Sequence, residues 1–275
     1  MNERHDQSPP EHDGGLSHDL PVLARRRMIR LMAGASLVPL VGCTSQEKPS
    51  ASPSSASSSS SSSSAACAEI PEETAGPFPG DGSNGVNVLK ESGVVRSDIT
   101  RSFGDSAGGT AAGVPLTITL TVVDAASGCG TPKKGAAVYI WHCDRDGAYS
   151  LYSDGVTEEN YLRGVQETDE KGRVTFTSVF PGCYPGRWPH AHFEVYGSLA
   201  DATAATSITS TSQLAFPQDV CDAVYATDGY SGSVRNLSSL SLEDDGVFGD
   251  GHERQLATMT GSARDGYTAA LTVPV

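Results

Sequence analysis

Long apolar runs are missing from this 275-residue chain. No stretch reaches the roughly 18 to 20 apolar residues that a helix needs to span a bilayer, which disfavours an integral membrane protein. Basic residues are scarce: 19 Lys and Arg face 33 Asp and Glu, for a net charge of −14. Residues 1–42 hold five of each sign, so the whole excess lies in residues 43–275. The clustered Lys and Arg that neutralise phosphates are therefore lacking, and nucleic acid is disfavoured as a partner. No two cysteines stand in C-x-x-C spacing, which weakens a zinc site. The chain has no repeat of fixed period. Nor do strands alternate with long amphipathic helices, so a parallel α/β sheet is disfavoured. An acidic globular domain is what remains.

The first positive signal is Ala24-Arg25-Arg26-Arg27-Met28-Ile29-Arg30, followed by a short apolar stretch from Leu31 to Val41 and then Gly42-Cys43. Basic, apolar and small-residue parts in this order predict a twin-arginine-type signal with a lipobox over residues 1–43. Cys43 would then carry lipid and be the only contact with a membrane. The other reading is a buried helix with an ordinary thiol. Residues 50–66 contain twelve serines in seventeen positions, a composition unable to bury enough apolar surface to order itself. Residues 44–66 are thus expected to be a flexible tether, and residues 67–275 the folded domain. The expected location is outside the cytoplasm, on the outer face of the cytoplasmic membrane or the cell surface.

Within 67–275, the runs at 115–124 (PLTITLTVVD), 137–142 (AVYIWH), 173–180 (RVTFTSVF), 190–196 (HAHFEVY) and 267–275 are rich in β-branched and aromatic residues. They read as strands separated by Asp-, Gly- and Pro-containing turns. Residues 217–226 alone look helical. The expected fold is all-β, an antiparallel β-sandwich with long loops and little helix. If Cys43 is acylated, Cys67, Cys129, Cys143, Cys183 and Cys221 remain. One or two disulfides are expected among them, with the pairing open.

Reactive side chains are densest in PGCYPGRWPHAHFE, residues 181–194. On an extended strand His190, His192 and Glu194 share one face. Two adjacent imidazoles make half of a metal site, although a lone H-x-H is equally two ordinary strand histidines. Tyr184 lies across a Pro- and Gly-containing loop that could return its phenol toward the imidazoles, and Arg187 sits in the same loop. After the Asp-rich turn at 144–147, Tyr149 could point into the same space, as could Tyr152 or Tyr161.

The motifs EETAGPFPG (72–80), RSDI (96–99), GAAVYIWHCDRDGAYSLY (135–152), YLRGVQETDEKGRVTF (161–176) and PGCYPGRWPHAHFEV (181–195) together resemble the intradiol ring-cleavage dioxygenases, in particular their exported single-domain branch. Beyond Tyr196 the likeness is looser. The resemblance implies one iron(III) per chain, held by Tyr149, Tyr184, His190 and His192. Phenolate oxygens favour the ferric state. It also implies a catechol-type substrate, dioxygen as co-substrate, and a muconate-type diacid as product. Tyr184 would leave the metal and take a substrate proton, and Arg187 would stabilise negative charge on the substrate. The chain departs from the pattern at Phe78, where relatives carry tyrosine, and at Cys183, where exported relatives carry tryptophan. Two other readings stay open: a non-catalytic exported β-sandwich binding module, and a copper or zinc site.

Overall fold

The computed structural model describes residues 67–275. The expected signal, the lipid site at Cys43 and the serine tether lie outside the described residues. Among the described residues nine strands form two sheets. The larger contains β1 (Pro115–Asp124), β2 (Thr131–Pro132), β5 (Arg173–Val179), β8 (Thr258–Ser262) and β9 (Gly266–Pro274). On one side β1 pairs antiparallel with β5 and, further along, with β2; on the other it pairs with β9, which also pairs with β8. The smaller sheet has the order β4 (Arg163–Glu167), β3 (Ala137–Trp141), β6 (His190–Tyr196) and β7 (Ile208–Ala215), all antiparallel.

The strand period of two explains why these sheets stack. In β1, Ile118 and Leu120 point inward with Val174 and Phe176 of β5 and Leu271 and Val273 of β9. Val138 and Ile140 of β3, Ala191, Phe193 and Val195 of β6 and Leu214 of β7 meet them in one continuous apolar core. The turn between β4 and β5 needs Gly172, whose φ is +72° and where a Cβ would lie 2.3 Å from the Val122 carbonyl oxygen.

The β1–β9 pair is parallel, in an otherwise antiparallel arrangement of strands. After β5 the chain comes back to this sheet as β8 and then β9, which lies between β8 and β1; the excursion before β8 contains β6, β7 and three short helices. These are α1 (Leu199–Ala204), α2 (Gln218–Tyr225) and α3 (Ser231–Leu237). Of them only α2 carries the apolar spacing visible in the sequence, with Val220, Cys221, Val224 and Tyr225 buried.

Cys67 is joined to Cys129, just beyond β1, while Cys143, Cys183 and Cys221 are buried free thiols. From that staple residues 67–80 cross the sandwich as a strap. Ile70 N–H donates to the Pro274 carbonyl (2.8 Å), Glu73 N–H to the Thr211 carbonyl (2.8 Å), and the Ser212 hydroxyl to the Pro71 carbonyl (2.7 Å). The strap covers the outer face of the smaller sheet, together with residues 86–94 and α1.

Candidate active site

His190 and His192 project from the start of β6 onto the covered outer face, and two loops converge on them. The first is the turn after β3. Asp144 Oδ1 accepts from Asp146 N–H and Ala148 N–H, both at 3.0 Å, and winds the chain so that Tyr149 faces back toward β6. The second is the segment before β6, carrying Tyr184 and Arg187. The helices hold its start: Tyr225 hydroxyl donates to the Pro181 carbonyl (3.1 Å), Tyr230 hydroxyl to the Phe180 carbonyl (2.9 Å), and Asn236 Nδ2 to the Cys183 carbonyl (2.6 Å). Gly147, at φ +85°, allows the loops to touch, since a Cβ there would lie 3.1 Å from Tyr184 Cβ.

His190 Nδ1 donates to the Trp188 carbonyl, which fixes the tautomer and turns the Nε2 lone pair into the site. Around that nitrogen stand the Tyr149 hydroxyl at 3.4 Å, the Tyr184 hydroxyl at 3.3 Å and His192 Nε2 at 3.1 Å. His192 stacks on Trp141, with ring centroids 4.9 Å apart and planes 4° from parallel, and its buried Nδ1 has no hydrogen-bond partner. The other tyrosines open to the sequence point elsewhere. Tyr152 hydroxyl donates to Asn84 Oδ1 (2.9 Å), and Tyr161 hydroxyl to Asp144 Oδ2 (3.1 Å).

Only one of these three groups can donate to the His190 Nε2 lone pair at a time, so they compete for it. A cation at the centre would remove the conflict by making acceptors of both phenol oxygens and both imidazole nitrogens. Electrostatics prepare the same outcome. Burial, then Arg187, pushes His190 down to about 3, and burial, then His190, holds His192 well below its ordinary value, so both imidazoles are neutral. Burial, then Tyr184, raises the Tyr149 phenol well above the ordinary range, so it becomes a phenolate only with positive charge nearby. Among the described residues no group of three or more His, Cys, Asp and Glu is placed to hold a metal. Phenol oxygens must complete any such site.

Arg187 is 2 % exposed, so it is not a surface arginine lying over Trp188. Its Nε donates to Asp245 Oδ2 (3.1 Å) and an Nη to Gln213 Oε1 (2.6 Å). Asp245 Oδ2 also accepts from Trp188 N–H (2.7 Å), and its Oδ1 from Val247 N–H (2.8 Å) and Phe248 N–H (3.1 Å). Burial raises the Asp245 carboxyl, but Arg187 and the backbone N–H groups outweigh it and leave the pKa below the ordinary carboxylate value. Sequence reasoning missed Gln213 and Asp245. Gln213 lies on a Ser- and Thr-rich strand without clear alternation, and Asp245 sits in a loop carrying no motif; a polar residue opposite His192 in the β6–β7 register is the only trace of the first. Phe78 packs its ring 4.9 Å from that of Tyr149.

The dioxygenase family model matches residues 93–206. A stretch of 55 residues is 38% identical to the chlorocatechol 1,2-dioxygenase of Rhodococcus opacus, covering 20% of this chain and 21% of that protein. The catechol 1,2-dioxygenase of Candida albicans is 38% identical over 56 residues, covering 20% and 18%. The matched stretch thus spans about a fifth of these curated relatives. Among solved structures, an intradiol ring-cleavage dioxygenase from Tetranychus urticae aligns with a TM-score of 0.58 and 27% identity, covering 76% of this chain and 94% of that one.

Proposed function

We propose, from the premise that this chain carries an intradiol ring-cleavage dioxygenase fold related to the catechol, chlorocatechol and hydroxyquinol 1,2-dioxygenases, that it is an iron(III)-dependent intradiol dioxygenase. It would insert both atoms of dioxygen into a catechol-type ring and open it between the two hydroxylated carbons, giving a muconate-type diacid. The observation that carries this reading is the meeting of two phenols and the His192 imidazole within 3.4 Å of His190 Nε2, with no carboxylate in the set.

Tyr149, Tyr184, His190 and His192 would hold one iron per chain, a hard-oxygen and imidazole set suited to the ferric state. When bound, ferric iron supplies the Lewis acidity that makes a chelated catechol reactive toward dioxygen. The remaining work falls to this chain's own groups. Tyr184 Oη takes a proton from a substrate hydroxyl, a role suited to this half-buried phenol rather than to the buried Tyr149 beneath Phe78. Arg187, clamped by Asp245 and Gln213, offers a fixed guanidinium to negative charge on the substrate oxygens. Phe78 and Trp141 wall the site with apolar surface and limit water.

The address belongs to the same proposal: residues 1–43 export the chain, Cys43 anchors it by lipid, and 44–66 form a tether to the domain at 67–275. The Cys67–Cys129 disulfide suits an oxidising compartment. Among the described residues no helix is long and apolar enough to cross a membrane. A Cys43→Ser variant should leave the membrane fraction for the soluble one, and retention in the membrane would remove the anchor.

The deciding experiment is a visible spectrum with metal analysis on the purified protein. About one iron per chain is expected, with a tyrosinate-to-iron(III) charge-transfer band that disappears in Tyr149→Phe or Tyr184→Phe. A folded, colourless protein that takes up no iron would overturn the reading.

A further inference from the structure

Arg163 opens β4 and is 1 % exposed, yet none of its hydrogen-bond acceptors is a carboxylate. Burying a guanidinium without a counter-ion is costly unless every donor is satisfied. Here all five N–H groups are. Nε donates to Ser150 Oγ (3.1 Å), Nη1 to the Pro79 carbonyl (2.8 Å) and the Tyr139 hydroxyl (3.1 Å), and Nη2 to the carbonyls of Phe78 (2.9 Å) and Ser150 (3.0 Å). These acceptors come from three parts of the chain: the strap, β3, and the residue immediately after Tyr149.

Each contact bears on Tyr149. Ser150 fixes the backbone beside it through two bonds to the guanidinium. Phe78 and Pro79 fix the strap, whose Phe78 ring lies against the Tyr149 ring at 4.9 Å. Next along the strap, Gly80 N–H donates to the Tyr152 hydroxyl (2.9 Å), and the Tyr152 ring lies 5.4 Å from the guanidinium carbon. Tyr149 is held locally by its own turn, its N–H donating to Ser153 Oγ (2.9 Å) and its carbonyl accepting from Ser153 N–H (2.9 Å), while its hydroxyl meets His190 Nε2.

We propose that Arg163 is a positioning residue for Tyr149. It locks the turn behind the phenol to the strap above it, so that the phenol oxygen stays at the distance from His190 Nε2 that a shared ligand position requires. It touches none of the four inward-facing groups through any of its five hydrogen bonds. The role suits arginine alone, because a lysine ammonium has three donors at one point and cannot reach acceptors on three segments in a planar fork. The functional part rests on Tyr149 being a metal ligand.

The test uses Arg163→Lys and Arg163→Ala in the full chain, with Ser150→Ala as a milder variant that removes a single acceptor. In metal-free protein, amide exchange at residues 78–80 and 149–153 should accelerate at least tenfold in the Arg163 variants, while β1 stays protected. Titration with ferric iron should show affinity lowered by about 10- to 100-fold, the range for lost outer-shell support, together with a shifted charge-transfer band. Millimolar guanidinium chloride should partly restore that band in Arg163→Ala, whereas the same concentration of sodium chloride should not. Ser150→Ala should move every readout the same way by less. Unchanged exchange at 78–80 and 149–153, or exchange that rises equally in β1, would overturn the proposal. If the wild type takes up no iron, the metal reading fails, and the exchange arm still decides whether Arg163 holds the Tyr149 turn.

Discussion

The two sheets handle their outer faces in opposite ways. Along β5 exposed and buried residues alternate, with Arg173, Thr175 and Thr177 in solvent and Val174 and Phe176 in the core. Along β6 all seven residues are buried, including His190, His192 and Glu194, which occupy the positions a two-layer sandwich would leave in water. The difference is the strap and the loops laid over the smaller sheet. Covering a polar face forces each group there to find a partner or change its protonation. Glu194 shows the effect: burial pushes its carboxyl up to about 8, although the Tyr196 hydroxyl donates to it at 2.5 Å. The exposed sheet supplies stability through ordinary packing. The covered one supplies a dry, pre-set polar environment.

The contrast breaks most visibly at Asp245. Asp245→Ala leaves the Arg187 guanidinium buried without its carboxylate, and should lower the unfolding free energy by about 3 to 5 kcal/mol in urea titrations. A loss below about 1 kcal/mol would mean the site region tolerates polar defects like a surface.

Removing the staple comes next. Cys67→Ser with Cys129→Ser opens a link between residues 62 apart, and should cost about 2 to 4 kcal/mol in the same measurement. If the strap depends on it, proteolysis in native conditions should begin within residues 67–80 before it touches β1.

Acid sharpens the comparison. His142 is buried, bonded through Nδ1 to the Cys143 carbonyl and through Nε2 to the Ser178 hydroxyl, both at 2.7 Å. Burial drives its pKa from 6.5 down to about 4. The unfolded chain therefore takes up a proton below the ordinary histidine pKa while the folded one does not. Stability from this group is intact above that value and declines as pH falls toward the folded pKa, by up to ~1.4 kcal/mol per pH unit. His142→Gln should show a correspondingly shallower fall in urea midpoint between neutral and mildly acidic pH; equal slopes would remove His142 from the account.

The smallest effect is expected on the open face. Thr175→Val, opposite Thr119 in the β1–β5 register, should change stability by no more than about 0.5 kcal/mol.

How much the sequence revealed follows the same division. The strands read at 115–124, 173–180 and 190–196 coincide with β1, β5 and β6 to within a residue, because β-branched and aromatic runs bounded by turn residues leave little choice. The strands it does not reveal are β2, two residues within a turn-rich segment, β4, which opens Arg163-Gly164, β7, which is Ser- and Thr-rich, and β8, with Gly261 inside it. Local preference there is weak, and pairing with neighbours decides. Helices α1 and α3 are short and almost without an apolar stripe, so tertiary contacts again define them. Tyr184, Arg187, His190 and His192 fall on one short segment and were visible as a cluster. Local residues do not separate Tyr149 from Tyr152 and Tyr161; only the family resemblance singles it out in the sequence, and in the structure the other two hydroxyls bond elsewhere. Finding Asp245, which lies 58 residues from Arg187, required three-dimensional geometry.

The position of β9 also fixes an order of events during synthesis. By the time Ala215 leaves the ribosome, every strand of the smaller sheet exists. The larger sheet must wait for residues 266–274, which fill an interior place between β1 and β8 and bring Ala269, Leu271 and Val273 to the core. Until then β1 has an open edge, and the inward side of the smaller sheet lacks part of its cover. Joining strands so far apart in the chain is a slow step, during which exposed edges invite association. A stop before β9 would thus remove an internal wall of the sandwich, and until residues 266–274 have been made the nascent chain carries β1 with an unpaired edge.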